Sequence, residues 1–279
     1  MANILIAGCG DLGCMLGTQL SEQGHKVFGL RRNTEALPEC ILPVKADLSA
    51  TTIPNLPKKI DYVFYMASAG KYNDTAYYLA YVQGLNNLIG ALEGKKIKRL
   101  FYISSTSVFG QSEGQQVNEE SPTCDASFST KRLLMGEELI TQSDINSTVI
   151  RFGGIYGPGR THLIDLVREG KAHCMENVWS NRIHSDDCSG MLNHLLDLNE
   201  SDPSSVESLY VGVDNQPSLS CEVYDWLSEQ LSVPEIEHNE PTESARLMRS
   251  NKKISNEKIK QTGYEFKYPS FKEGYIELI

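Results

Sequence analysis

Long apolar runs are missing from this 279-residue sequence. Nothing in it approaches the ~20 consecutive apolar residues that a bilayer-spanning helix needs, so a membrane partner is not expected. Positive charge is scarce as well. The 26 Lys and Arg are outnumbered by 36 Asp and Glu, giving a formal net charge of −10. Nucleic acid is therefore an unexpected partner, and any phosphate must be held locally, by glycine turns and a few arginines. Met1-Ala2-Asn3 runs straight into an apolar strand pattern, which leaves no room for a secretory leader and predicts a cytoplasmic protein. The cysteines, at 9, 14, 40, 124, 174, 188 and 221, are odd in number and lack paired spacing, which predicts reduced thiols. No metal is expected, since His162, His173 and Cys174 have no matching ligand pair at useful spacing. A Gly-x-Ser-x-Gly turn is absent around Ser104 and Ser105, which argues against a hydrolase nucleophile.

What the sequence does have is concentrated at its start. Residues 3–13 read Asn-Ile-Leu-Ile-Ala-Gly-Cys-Gly-Asp-Leu-Gly. An apolar strand, Ile4–Ala7, leads into Gly8-x-Gly10-x-x-Gly13, a helical pattern follows over Leu12–Gln23, and a second strand begins after Gly24. This is the front half of a dinucleotide-binding βαβ unit. Gly8 permits the tight turn, Gly10 lets the backbone approach a pyrophosphate, and Gly13 lets the helix pack on the sheet. The helix N-terminus at Asp11 and Leu12 then offers N–H groups and a positive dipole to the phosphates. Cys9, inside the turn, is either a small filler or a redox-sensitive thiol.

Strand and helix patterns alternate through the first half. Strands are predicted over Ile4–Ala7, Lys26–Leu30, Tyr62–Met66, Leu100–Ser104 and Ser147–Phe152, and helices over Leu12–Gln23, Ala76–Leu92 and Thr130–Gln142. That alternation predicts an α/β fold built on a doubly wound parallel sheet of Rossmann type. Leu48–Lys59, with Pro54 and Pro57, predicts an irregular crossover, and 111–127 predicts a long loop. The division expected is a nucleotide-binding domain over 1–160 and a smaller substrate lobe over 161–279, partly interleaved with it. Helices are predicted there over His162–Glu169, Asp187–Leu198 and Cys221–Gln230, a strand over Ser208–Val213, and a basic helical stretch over Arg246–Lys260. Trp226 falls on an amphipathic helix and reads as core; Trp179 reads as packing or as the edge of a substrate pocket. His184 reads as ordering its loop, with Ser185 or Asp186 capping the helix that follows.

The second strand ends Gly29-Leu30-Arg31-Arg32-Asn33, with two guanidiniums where an NAD site usually carries a carboxylate for the ribose 2′-OH. Arginine pairs with a 2′-phosphate, so NADP is favoured over NAD. The alternative is that Arg31 and Arg32 stack on adenine or face solvent. Asp47 reads either as an acceptor for the adenine amino group or as a local cap.

Several further segments carry a family resemblance. Tyr65-Met66-Ala67-Ser68-Ala69 resembles the fourth-strand segment beside the cofactor in the extended short-chain dehydrogenases/reductases, and Ile103–Gly110 resembles their fifth-strand motif. Arg151-Phe152-Gly153-Gly154-Ile155-Tyr156-Gly157-Pro158-Gly159-Arg160 and Asn181-Arg182-Ile183-His184-Ser185-Asp186-Asp187 are similar to later signatures of that family. Leu209-Tyr210-Val211, Asn251–Asn256 and Gly263–Ser270 fit too, and together they resemble an atypical, epimerase/dehydratase-like subgroup. The resemblance implies a nicotinamide cofactor held at Gly8, Gly10, Asp11, Leu12, Gly13, Arg31, Arg32, Asp47, Ala67 and Ser68. It also implies an active-site hydroxyl at Ser105 and a lysine on the nicotinamide side at Lys131.

One departure bears on the reaction. The family's chemistry uses a tyrosine four residues before the lysine, and Ser127 stands there. Tyr81 stands where relatives often carry an asparagine. Three readings follow. The first is an NAD(P)-dependent oxidoreductase acting on a small molecule with another acid, Tyr156 ahead of Tyr81 and Tyr72. The second is a sugar-nucleotide epimerase or dehydratase, with Arg160 and Arg182 on a substrate phosphate. The third is a non-catalytic NADP(H)-binding sensor or scaffold. A homodimer through the Ala76–Leu92 helix and the helix from Thr130 is what many relatives form.

Overall fold

The computed structural model describes residues 1–239 and 251–279. In chain order the first elements are β1 (Asn3–Ala7), α1 (Asp11–Glu22), β2 (Lys26–Arg31), β3 (Leu42–Lys45) and β4 (Tyr62–Tyr65). Then come α2 (Asp74–Tyr77), a π-helical segment (Tyr78–Gln83), α3 (Gly84–Ala91), β5 (Arg99–Ser105), β6 (Gln115–Val117), α4 (Phe128–Thr141) and β7 (Ser147–Phe152). Next are β8 (Gly154–Tyr156), α5 (His162–Arg168), β9 (His173–Met175), β10 (Trp179–Ser180), β11 (Arg182–His184), α6 (Ser185–Ser201) and β12 (Leu209–Gly212). The last are β13 (Ser218–Leu219), α7 (Ser220–Leu231), β14 (Glu237–Asn239), β15 (Lys252–Ile254), α8 (Glu257–Gln261) and α9 (Phe271–Ile276).

A seven-stranded parallel sheet runs in the order β12-β7-β5-β4-β1-β2-β3, the doubly wound Rossmann arrangement expected. At its centre β4 is apolar at every position rather than alternating: it buries Tyr62, Val63, Phe64 and Tyr65, as a strand covered on both faces must. On α1, Leu12, Leu16 and Leu20 recur at helical spacing and all three are buried.

The chain forms two compact units. The first comprises residues 1–108, 124–151 and 189–210, the second 109–123, 152–188 and 211–279, so each takes residues from both sides of position 160. The first unit's core gathers Leu5, Ala7, Val63, Tyr65, Leu85, Leu88, Leu100 and Tyr102 among others. Beside it lies a buried ion pair. Glu137 accepts from Arg151 Nε at 3.0 Å and Nη2 at 2.6 Å, and from the Ser104 hydroxyl at 2.6 Å. The irregular crossover after β3 is held by side chains from the helix opposite. Gln83 Nε2 donates to Ser49 O at 2.7 Å, and Asn87 Nδ2 to Leu48 O at 2.9 Å and Ala50 O at 2.8 Å.

The second unit has two small cores, one around Tyr156, Ile164, Val167, Val223, Leu227, Phe271 and Tyr275, the other around Phe109, Val117, Val211, Val213 and Ile254. Trp226 packs on the first of these, edge-on to Phe271 at 5.6 Å, as its helix pattern implied. Asp187 ties the C-terminal segment to α6, accepting from Lys267 N at 2.7 Å, Tyr268 N at 2.9 Å and the Tyr264 hydroxyl at 2.9 Å.

Three expectations need correcting. The loop over 111–127 contains a strand, β6, which pairs in parallel with β15. Lys252–Ile254, expected in a basic helix, is that partner strand, and the Lys252 ammonium donates to Phe109 O at 2.6 Å. A hydrogen-bonding edge outside the local sequence overrides the helical propensity. Residues 246–250 of the expected helix lie outside the described residues. The thiols are not all reduced either: Cys174 and Cys221, 47 residues apart, are joined as a disulfide. No spacing rule reveals a pair brought together by folding.

Candidate functional site

The turn after β1 is built as its glycines imply. Gly8 has φ +83°, and a Cβ there would fall 2.5 Å from Ala67 Cα and N. Only glycine satisfies both the backbone angle and the approach of the neighbouring strand's exit. Gly10 stands at the N-cap of α1, with no side chain capping the helix. A Cβ on Gly10 would meet nothing closer than Gly8 O at 4.0 Å, so its missing side chain leaves open space over the helix N-terminus. Asp11, Leu12 and Gly13 form the first turn, with Leu12 and Gly13 buried. These features fit a diphosphate. The Cys9 thiol is wholly buried, and burial raises its pKa, so it stays protonated as a small filler.

A cleft of about 710 Å³ opens over this turn, entirely within the first unit. It brings Gly8, Gly10, Arg31, Arg32, Asp47, Ala67 and Ser68 together, which are seven of the predicted cofactor residues. Arg31 ends β2 and Arg32 follows it, exposed on the rim. Asp47 Oδ1 accepts from the Ser49 amide at 2.9 Å and hydroxyl at 2.7 Å, and these bonds hold its carboxyl below the ordinary range. Its local turn role is thus formed, on a residue that also lines the cleft.

The far wall of the cleft comes from Ala76, Leu79 and Ala80, and here the helix departs from α geometry. Tyr78–Gln83 winds as a π-helix, and the Tyr65 hydroxyl donates to Ala80 O within it at 2.5 Å. Such segments are rare and often accompany functional sites. Tyr81 lies in it, and burial raises its pKa. Tyr77 packs tilted against Tyr81 at 5.3 Å and edge-on to Phe128 at 5.5 Å, and Tyr72 reaches Phe128 at 5.0 Å. The sequence carries no signal for the π-turn, because Tyr-Leu-Ala-Tyr-Val-Gln reads as ordinary helix.

Ser127, where the resemblance led a tyrosine to be expected, is the N-cap of α4. Its hydroxyl accepts from Thr130 N at 3.1 Å, and the Thr130 hydroxyl bonds back to Ser127 N at 3.1 Å. Lys131 is exposed on the first turn of that helix, and Ser105 Oγ accepts from Ser107 N at 3.2 Å. Neither Ser105 nor Lys131 lines the cleft.

The other candidates belong to the second unit. Tyr156 is 4% exposed, packed on Tyr275 at 4.3 Å and His184 at 5.2 Å, with its hydroxyl 3.5 Å from Ser270 O. Burial raises its pKa, an environment suited to a packed aromatic. His184 orders its loop as expected, but it is His184 Nδ1, not the Ser185 hydroxyl, that takes the Asp186 amide, at 3.2 Å. Arg160 closes a turn through its backbone to Gly157 O at 2.9 Å. Arg182 is buried, donates through Nη2 to Ser180 Oγ at 2.6 Å and lies over the Phe271 ring at 5.4 Å, while its Nη1 has no hydrogen-bond partner among the described residues. Nearby Asp214, also buried, has its carboxyl pushed up to about 7 by loss of water, opposed by Arg182. Sequence reasoning also missed a group formed by Cys174, Cys221 and His238, whose ligand atoms lie within 4.8 Å of one another.

A parallel sheet whose first strand turns through Gly8 onto an uncapped helix, beneath a cleft of this size, defines a dinucleotide-binding protein of the Rossmann class. Sequence comparison is more specific: the NAD dependent epimerase/dehydratase family model matches residues 4–187, and the chain belongs to that family. A structure from Methylobacillus flagellatus, provisionally assigned as an NAD-dependent epimerase/dehydratase, is 32% identical with a TM-score of 0.82, over 99% of this chain and 97% of the other. A human epimerase family protein solved with NADPH has a TM-score of 0.77 at 18% identity, over 99% and 98% of the two chains. UDP-glucuronic acid 4-epimerase from Bacillus cereus, solved with NAD, has 0.80 at 19%, over 98% and 95%. These last two share the fold. The spore coat polysaccharide biosynthesis protein SpsK of Bacillus subtilis is 25% identical over 183 residues, 60% of this chain and 58% of the relative, so the match spans less than two thirds of that protein. Among the described residues, no helix is long and apolar enough to cross a membrane.

Proposed function

We propose that this protein binds NADP(H) in the first unit's cleft and is an atypical oxidoreductase acting on a small molecule. One observation carries the reading: Arg31 and Arg32 stand on the rim of the same cleft as Gly8 and Gly10. Guanidiniums pair with a 2′-phosphate, where the carboxylate of an NAD site would repel it. The human neighbour solved with NADPH and the Bacillus cereus neighbour solved with NAD support a nicotinamide cofactor of either kind.

When bound, the nicotinamide supplies hydride transfer. The protein's part is to hold the diphosphate at the N-terminus of α1, to seat the extra phosphate on Arg31 and Arg32, and to move a proton. Ser105 and Lys131 are assigned the hydroxyl and ammonium of that step. Tyr81 is assigned the proton, because it belongs to the π-helical segment whose Leu79 and Ala80 line the cleft, whereas Tyr156 is packed in the second unit's core. Arg160 and Arg182 are assigned to a phosphate-bearing substrate. The Nη1 of Arg182, which has no hydrogen-bond partner among the described residues, supports that role.

A second reading, sugar-nucleotide epimerase or dehydratase chemistry, takes its support from the polysaccharide role of the Bacillus subtilis relative. Calorimetric titration with NADPH and NADH tests the cofactor, and tighter binding of NADPH is expected. Tighter NADH binding overturns the role of the arginines; no binding of either overturns the whole reading. Turnover of NADPH against a panel of small aldehydes and ketones, lost in Tyr81→Phe and Lys131→Ala, separates an oxidoreductase from a non-catalytic binder. Interconversion of UDP-sugars without net oxidation favours the second reading.

A further inference from the structure

The second unit holds a ligand set that the nicotinamide chemistry does not use. His238 on β14 sits directly opposite Cys174 on β9 in the parallel pairing of those strands. Cys221 comes from the first turn of α7. The two sulfurs and an imidazole nitrogen lie within 4.8 Å of one another. Tetrahedral zinc, with bonds of about 2.3 Å to sulfur and 2.0–2.1 Å to nitrogen, brings its ligand atoms to roughly 3.5–4 Å separations. Small side-chain shifts therefore suffice to close such a site.

The surroundings are also those of a metal centre. His238 has carboxylates on both ring nitrogens: Asp225 Oδ1 lies 2.9 Å from Nε2 and Glu176 Oε1 lies 3.5 Å from Nδ1. Whichever nitrogen turns to a metal, the other keeps an acidic partner that fixes the ring, the usual arrangement around a ligating histidine. Asp225 is four residues after Cys221 on α7, hence on the same helix face, which places its carboxylate to orient the His238 ring. Access is one-sided. Cys174 and Cys221 are buried, while the His238 side chain is 39% exposed and opens to solvent.

We propose that Cys174, Cys221 and His238 form a zinc-type metal site in the second unit, open when the two cysteines are reduced and closed when they are joined. Two thiolates and one imidazole select Zn²⁺ over Mg²⁺ or Ca²⁺, which take oxygen ligands. The chemistry balances in two steps. A dithiol reductant gives two electrons and two protons to the Cys174–Cys221 bond, leaving two thiols and its own disulfide. Zn²⁺ then displaces one proton from each thiol and forms two Zn–S bonds. Reoxidation by a disulfide-class oxidant reverses both steps and releases the ion.

The test uses the full chain, stripped of metal, in oxidised and dithiol-reduced forms. Zn²⁺ is titrated against a chromophoric chelator, and Co²⁺ is added separately to read thiolate charge-transfer absorption. One equivalent of Zn²⁺ is expected on the reduced protein and none on the oxidised one, with a tetrahedral thiolate spectrum for Co²⁺. Cys221→Ser should lose the site. His238→Ala, a change at an accessible side chain, should weaken Zn²⁺ by about a hundredfold, and Asp225→Asn by about tenfold, within the range for outer-shell partners. Circular dichroism on each variant separates loss of ligand from loss of fold. Failure of the reduced protein to bind either ion overturns the proposal. So does unchanged affinity in both His238→Ala and Cys221→Ser, which would place the metal on other residues.

Discussion

Glu137 grips Arg151 with both carboxylate oxygens, at 3.0 and 2.6 Å, and the two side chains are only 10% and 8% exposed. One ion comes from α4 and the other from β7, so the pair fastens a helix to the sheet. Removing one partner strands a buried charge. Glu137→Ala is expected to cost about 3–5 kcal/mol in urea unfolding. Glu137→Leu combined with Arg151→Met should recover much of that loss, since it removes both charges and keeps apolar volume.

Gly8 is the position where a single methyl group does most harm. With φ +83° and Ala67 backbone atoms 2.5 Å from the new Cβ, Gly8→Ala must move the turn away from β4's exit. The expected loss of stability is at least about 1 kcal/mol. Affinity for NADPH should fall about tenfold or more, because the amides at the helix start no longer converge. Paired calorimetric and urea titrations check both outcomes.

Arg31 and Arg32 should matter for one cofactor and not the other. Arg31→Ala with Arg32→Ala removes charge-assisted bonds of about 1.5–3 kcal/mol to a 2′-phosphate, or roughly 10- to 100-fold in NADPH affinity. NADH lacks that phosphate, so its binding should change by less than about twofold. Competition titration of the two cofactors on the double variant reads this out.

Asp214 predicts a pH dependence with a definite sign. Its carboxyl has a folded pKa of about 7 against an ordinary 3.8, raised by burial. Between those values the native protein keeps a proton that the unfolded chain releases. This contribution to stability is full below the unfolded value and is lost as pH rises through the folded one. Its slope reaches about 1.4 kcal/mol per pH unit. Asp214→Asn should abolish that fall, so the difference between wild type and variant, from urea titrations at stepped pH, isolates this group.

Much of this was legible in the chain itself, and the reasons are local. Gly8 permits the positive φ of the turn, Leu12, Leu16 and Leu20 mark one helix face, and the unbroken apolar run of β4 marks a strand covered on both sides. Interactions between neighbours in sequence fix such features, so the sheet, the first helix and the phosphate turn could be read directly. Arg31 and Arg32 could be placed beside that turn because the strand that pairs with β1 ends at Arg31.

Other features had no local signature. Ser127 reads only as a departure from a family tyrosine, and its part as the cap of α4 shows once the helix start is fixed. Lys252 reads as part of a basic helix until β6 offers it an edge. Cys174 and Cys221 look unpaired at 47 residues apart, and His238 has no sequence relation to either. Short-range periodicity and turn chemistry determined the class of fold and the cofactor turn. Strand register and packing between distant segments decided which charged, sulfur and phenol groups converge, because hydrogen bonding and burial act on distance in space rather than on order along the chain.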